Sequence, residues 1–74
     1  MSKLTEVFPK ILRLRQVMER TGLGRSTIYD RIDSRSTRYE ASFPKPVRIG
    51  VSSVGWLESS VNEWISTRLQ VKRG

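Results

Sequence analysis

The sequence predicts a mainly helical α+β domain built from three short helices and a small β-hairpin. Two short segments with helical spacing of apolar residues flank a glycine-containing turn at 22–24. A proline-bounded stretch that alternates apolar and polar residues follows over 43–56, and an amphipathic helical period covers 57–69. Two helices joined by a tight turn, with a hairpin wing beside them, predict a winged helix-turn-helix.

The length of 74 residues limits the chain to one small domain. We divide it into a flexible N-terminal arm over 1–10, the winged helix-turn-helix over 11–69 and a frayed basic tail over 70–74. The apolar runs are too short for a transmembrane helix or a signal peptide. We therefore expect a cytoplasmic protein without a membrane partner.

The first elements are a short strand and a short helix. Residues 11–14 alternate apolar and polar side chains, which predicts a strand. The first helix is predicted over 15–20, and Gly22 is placed to end it in the left-handed conformation. The apolar face of this helix follows i, i+3, i+4 and i+7 spacing in Leu14, Val17, Met18 and Thr21.

The second helix is predicted over 25–33, with Gly24 as its N-cap. Leu23 and Ile28 have the spacing of a hydrophobic staple across that cap. A polar, aperiodic loop over 33–42 follows.

The hairpin and the last helix complete the domain. The first strand is predicted in the proline-containing segment 43–50, the turn at 50–53 and the return strand at 54–56. The last helix has an amphipathic period, and either Ser59 or Ser60 is predicted to cap it. Both tryptophans, Trp56 and Trp64, are predicted to belong to the core.

The charge balance favours a polyanionic partner. The 14 basic residues against 7 acidic ones give a net charge of +7, and a pI above about 9 is typical of nucleic-acid-binding domains. Ten basic and four acidic residues fall within 10–48, so most of the excess lies there. The absence of Cys and His excludes disulfides, thiolate or imidazole metal sites and histidine-based catalysis. We expect a binding protein that is not an enzyme and uses no cofactor or metal.

The second helix offers the candidate recognition surface, because the N-terminal part of a recognition helix meets base edges in the major groove. Four of its side chains are predicted to contact bases: Arg25, Ser26, Thr27 and Tyr29. Seven side chains in the helix end, the loop and the hairpin are predicted to contact the DNA backbone: Arg31, Arg35, Arg38, Lys45, Arg48, Ser52 and Ser53.

Three blocks of sequence in this order resemble the AlpA family of phage and genomic-island regulators: RLxxVMxRTGLxRSTIY at 13–29, FPKPVRIG at 43–50, and VGW at 54–56 followed by VxxWI at 61–65. The resemblance implies a small winged helix-turn-helix protein of the bacterial nucleoid, related to excisionase and MerR-type DNA-binding domains. It implies double-stranded DNA as the partner and an integrase or recombinase as a further partner. Because a module of this size covers a short site, we also expect several copies to bind repeated sites, with self-association or cooperative binding. This chain departs from the family pattern at Gly24, where serine is usual, and at Ser52 and Ser53, where a basic residue is common.

We therefore expect a sequence-specific double-stranded DNA-binding protein. It would regulate integrase expression, or act directly as an excisionase for an integrated prophage or genomic island. The residues also leave two alternatives open, a basic RNA-binding domain and a protein-interaction module that uses the exposed face of the last helix.

Overall fold

The computed structural model describes residues 10–69. The predicted tail over 70–74 lies outside the described residues, and so does the predicted arm except for Lys10. The backbone of Lys10 is attached to the domain, because its carbonyl oxygen accepts a 2.8 Å hydrogen bond from the Glu58 N–H. No helix within 10–69 is long and apolar enough to cross a membrane.

The domain contains short helices and a small sheet, which confirms the predicted α+β class and the winged helix-turn-helix arrangement. The elements in chain order are β1 (Ile11–Leu12), α1 (Leu14–Thr21), α2 (Arg25–Ile32), β2 (Val47–Arg48), β3 (Val54–Leu57) and α3 (Glu58–Leu69).

The turn between α1 and α2 has the backbone geometry that its glycines predict. Gly22 adopts a left-handed φ of 77°, and its N–H donates a 2.8 Å hydrogen bond to the Met18 carbonyl oxygen, which ends α1. Gly24 is the extended N-cap of α2. The hydroxyl of Thr21 donates to the Val17 carbonyl at 2.8 Å and accepts from the Leu23 N–H at 3.2 Å. These bonds fix the direction in which α2 leaves the turn.

β3 is the central strand of a three-stranded antiparallel sheet in the order β1-β3-β2. Its pairing with β2, in the register Val47↔Gly55, is the predicted hairpin. On its other side it pairs with β1 in the register Leu12↔Trp56. The predicted strand at 11–14 is shorter in the structure, because Leu14 already belongs to α1.

The predicted cap of the last helix is wrong. α3 begins at Glu58, directly after the last residue of β3, so Ser59 and Ser60 lie in its first turn and neither precedes it. The sheet explains this early start. Leu57 pairs with Ile11, and the Glu58 N–H already donates to Lys10, so no linker separates the strand from the helix.

The core is made of apolar side chains from every layer, and it confirms the prediction for both tryptophans. Its buried members are Leu12, Val17, Ile28, Phe43, Trp56, Val61 and Trp64. The indole N–H of Trp56 donates to the Pro44 carbonyl oxygen at 3.1 Å, so the one polar atom of this fully buried side chain is satisfied. Phe43 and Trp64 meet edge to face, with ring centroids 4.9 Å apart.

At Gly55 the packing of β1 against β3 leaves no room for a side chain. A Cβ atom at this position would lie 2.3 Å from Cγ2 of Ile11 and 3.0 Å from the Leu12 carbonyl oxygen. Its φ is not in the left-handed region, so space rather than backbone conformation requires glycine here.

Candidate nucleic-acid interface

The first turns of α2 present an exposed polar face. Arg25 and Ser26 are exposed, Tyr29 is 45% exposed, and Thr27 is half-buried. Ile28 is fully buried on the opposite side and holds the helix against the core. Within the described residues Arg25 forms no ion pair, and Gly24 supplies no side-chain cap. The helix therefore offers both an unpaired guanidinium and uncapped N–H groups to an anionic partner.

Arg15 is a candidate that the sequence reasoning missed. It is exposed in the first turn of α1, and it lines one open cleft together with Met18, Glu19 and the turn residues 22–24. This places its side chain beside the start of α2. The first helix of a helix-turn-helix crosses the DNA backbone. The position of Arg15 in the first helix could therefore have identified it from the sequence as a candidate phosphate contact.

The loop between α2 and β2 carries two very exposed arginines. Arg35 lies 3.5 Å from the carboxylate of Asp33 and Arg38 lies 3.9 Å from that of Asp30, and their side chains are 91% and 72% exposed. Exposed pairs of this kind contribute little to stability. Both guanidinium groups can therefore exchange their carboxylate for a phosphate at small cost.

Arg31 has a partner inside the protein. Its Nη1 donates to Oε1 of Glu40 at 2.7 Å, and both side chains are largely shielded from solvent. The backbone N–H of Glu40 also donates to the Arg31 carbonyl oxygen at 2.9 Å. The phosphate contact predicted for Arg31 stays a prediction. Only the guanidinium N–H groups that do not face Glu40 are available for it.

The carboxylate of Glu40 is a hub that joins α2, the loop and α3. Besides Arg31, it accepts 2.7 Å hydrogen bonds from the Ser42 hydroxyl and from the Trp64 indole N–H. The guanidinium of Arg68 donates to the same carboxylate and lies over the Trp64 ring, 4.4 Å from its centroid. The hub fixes the loop to α2 and α3.

These contacts predict a pH dependence of stability. Burial by itself raises the pKa of Glu40, but the hydrogen bonds from Trp64, Ser42 and Arg31 and the charge of Arg68 outweigh it, so the pKa lies below the ordinary value of 4.5. The contribution of Glu40 is therefore complete above 4.5 and is lost as the pH falls through the lowered pKa. Unfolding by urea, followed by tryptophan fluorescence at successive pH values, should show a steeper acid loss for wild type than for Glu40→Gln. Parallel acid limbs for the two proteins would contradict this.

The wing carries its predicted polar residues on the surface. Arg48 is exposed, and its Nη1 donates to the Val51 carbonyl oxygen at 3.0 Å. Ser52 is exposed and Ser53 is half-buried. Lys45 is exposed before the wing, where its Nζ donates to the Ala41 carbonyl at 3.2 Å and lies 5.2 Å from the centroid of the Tyr39 ring.

Arg20 belongs to the scaffold. Its guanidinium joins α1 to α3 through hydrogen bonds to Glu58 at 2.8 Å and to Asn62 at 3.2 Å. The hydrogen bond from Arg20 lowers the pKa of Glu58. The structure thus distinguishes Arg20, whose guanidinium bonds to a second helix, from arginines such as Arg25 and Arg35 that make no such contact within the described residues.

The acidic side chains show no arrangement for metal chemistry within 10–69, where no three of them lie close enough to hold an ion. The exposed polar groups form three sets instead. One set lies at the start of α2 with Arg15 beside it, the second lies on the loop at 33–42, and the third lies on the wing.

The chain is similar to known proteins. A family model described as prophage CP4-57 regulatory protein (AlpA) matches residues 10–69. The DNA-binding transcriptional activator AlpA of Escherichia coli (strain K12) is 48% identical over 62 residues, which cover 84% of this chain and 89% of that protein. Uncharacterized protein ORF88 of Enterobacteria phage P4 is 38% identical over 60 residues, which cover 81% of this chain but only 61% of the phage protein. No solved structure matches the chain.

The family match covers all the described residues, from Lys10 to the end of α3. It therefore includes the helix-turn-helix, the loop and the wing together. The chain belongs to the AlpA family.

Proposed function

We propose that this chain is a DNA-binding regulator that recognises a specific sequence in double-stranded DNA through α2. One observation carries the proposal: the start of α2 is exposed, uncapped by any side chain and headed by an arginine without an ion-pair partner in the described residues. The name of the Escherichia coli relative, a DNA-binding transcriptional activator, supports the same function.

In this proposal α2 lies in the major groove and the surrounding cations contact the backbone. Base edges are contacted by Arg25, Ser26, Thr27 and Tyr29. Phosphates are contacted by Arg15, Arg31, Arg35, Arg38, Lys45, Arg48, Ser52 and Ser53. Thr27 is half-buried, so its hydroxyl contacts only a base edge that lies close to the helix. Arg25 has the long side chain and the paired N–H donors that a guanine edge requires.

The biological role that we propose is control of an integrated prophage or genomic island. The protein would regulate expression of the integrase, or act directly as an excisionase beside an integrase on repeated sites. A footprint over the genomic neighbourhood of its own gene separates the two roles. Protection within an attachment site is expected for an excisionase, and protection across a promoter is expected for a transcription regulator.

Replacing Arg25 with alanine is expected to cost about 1–3 kcal/mol of binding free energy on the specific duplex and to relax specificity. The reason is that a bidentate contact to a base is lost while the phosphate contacts remain. Affinity for a specific and a random duplex, measured by fluorescence anisotropy across a salt series, checks this. Wild type should show a slope of log K against log salt of about −4 to −5, for four to six neutralised phosphates.

Arg35→Ala is the matched control for that experiment, because it removes another exposed arginine, one that lies on the loop. This substitution should weaken binding to the specific and the random duplex by the same factor. It should also make the slope of log K against log salt less steep by about 1. Equal losses on specific and random DNA for Arg25→Ala would show that Arg25 contacts phosphate and does not read a base. Tighter binding to single-stranded RNA than to any duplex would contradict the proposed function as a whole.

A further inference from the structure

Asp30 is the only acidic residue of α2. Because an α-helix turns by about 100° per residue, Asp30 lies on the side of the helix opposite to Ile28, which is buried in the core. It follows Ser26 by one helical turn on the same face, and its side chain is 41% exposed. A negative charge therefore lies on the face of α2 that is proposed to enter the major groove.

The carboxylate of Asp30 has no firm partner within the protein. The nearest cation in the described part of the chain is Arg38, whose Nη1 lies 3.9 Å from Oδ2 of Asp30, too far for a hydrogen bond. The carboxylates of Asp33, Glu40 and Glu58 each accept at least one hydrogen bond, whereas no group within 10–69 donates one to Asp30. An exposed pair at this distance contributes little to stability. The fold therefore does not depend on the charge of Asp30.

A carboxylate at this place opposes the binding of most DNA sequences, because it approaches a polyanion together with the surrounding cations. The exception is a sequence that presents a hydrogen-bond donor to it. Cytosine is the base whose major-groove edge offers a donor and no acceptor, through its N4 amino group. Adenine places the acceptor N7 beside its amino group, and guanine and thymine present acceptors. The chemistry of the carboxylate therefore selects cytosine.

We propose that Asp30 is a specificity-determining residue, which accepts a hydrogen bond from the N4 amino group of one cytosine in the bound duplex. The proposal rests on the DNA-binding function proposed above. Arg38 is 72% exposed, so it can leave the carboxylate for a phosphate while the cytosine replaces it as the partner of Asp30. The ion pair of the free protein is thus exchanged for two contacts with DNA, and a site without the cytosine leaves the carboxylate unpaired.

The test is the selection of duplexes from a random pool by wild type and by Asp30→Asn, followed by sequencing. Wild type should enrich cytosine at a position where Asp30→Asn enriches adenine, because an asparagine amide accepts from the adenine N6 amino group and donates to N7. Changing that cytosine·guanine pair to adenine·thymine in the wild-type site should weaken the binding of wild type about tenfold. The same change should not weaken the binding of Asp30→Asn. Fluorescence anisotropy measures both affinities.

Asp33→Asn is the matched control, because it removes the same charge at the C-cap of α2, beside the other loop arginine. Both variants should bind a random duplex about threefold more tightly than wild type, since each removes one negative charge near the phosphates. Only Asp30→Asn should change the selected sequence. Both should unfold at the urea concentration of wild type, which shows that the altered base preference does not come from an altered fold.

Selection of one and the same sequence by wild type and Asp30→Asn would overturn the inference and leave the proposed function intact. An equal gain of affinity for the selected and the random duplex in Asp30→Asn would also overturn it, because Asp30 would then act only as a repulsive charge. Failure of wild type to enrich any duplex sequence would overturn the proposed function and this inference together.

Discussion

Replacing Glu40 with alanine is expected to lower the free energy of unfolding by about 3 kcal/mol. The substitution removes the common acceptor of the Trp64 indole and of two arginines. The Trp64 and Arg31 contacts are partly buried, so water replaces the lost acceptor incompletely. A domain of this size has a net stability of only about 5 kcal/mol, and the loss is therefore most of it. Urea unfolding followed by tryptophan fluorescence measures the change.

Glu63→Ala is the control for this substitution, because Glu63 is an exposed carboxylate on α3 that forms no ion pair among the described residues. Its effect should stay within about 0.5 kcal/mol. Glu40→Gln should fall between the two, since its amide oxygen still accepts a hydrogen bond but its charge is gone. If Glu40→Ala and Glu63→Ala unfold at the same urea concentration, the hub does not stabilise the domain.

Gly55→Ala is expected to destabilise the domain by about 2–3 kcal/mol through overpacking. The added methyl group would lie 2.3 Å from Cγ2 of Ile11 and 3.0 Å from the Leu12 carbonyl oxygen. One of these neighbours is backbone held in the sheet, so the strands must separate to make room. The same urea experiment measures the loss, and the exposure of Trp56 to solvent should shift its fluorescence at low denaturant.

Two further variants show whether the cause is steric. Gly50→Ala should be nearly neutral, because a Cβ there has its nearest neighbour at an ordinary 3.5 Å. Ile11→Ala removes the clashing Cγ2 atom, so the pair Ile11→Ala and Gly55→Ala should be more stable than the sum of the two single losses predicts. Strict additivity would show that contact with Ile11 is not what limits this site.

The helices and the hairpin could be predicted because their signals are local. The left-handed Gly22, the N-cap Gly24 and the alternation around Arg48 each act within a few residues. The partner of β1 could not be predicted, because two residues carry too little pattern to specify a register. The start of α3 was misjudged for a related reason. A local capping signal at Ser60 was overridden by the strand pairing that brings the chain to Glu58.

The four side chains that the sequence predicts to contact bases lie together on α2, and their contact with DNA stays a prediction. Sequence alone does not show which arginines form ion pairs inside the protein. Which ones have carboxylate partners depends on tertiary proximity, as with Arg20 against Glu58 and Arg31 against Glu40. Arg15 was overlooked although its position in the first helix was a usable signal, and its proximity to the start of α2 becomes visible only in the folded turn.

The pairing of β1 with β3 also determines when the protein becomes competent during its synthesis. The first strand leaves the ribosome well before its partner, and the two helices between them have eight residues each, too few to persist alone in water. Trp56, the largest fully buried side chain, arrives only with β3. A nascent chain that ends after the wing turn would thus contain every residue proposed to touch DNA and still lack the rigid helix that presents them. For the proposed function, DNA binding is therefore expected only after the last third of the chain has been synthesised and β3 has paired with β1.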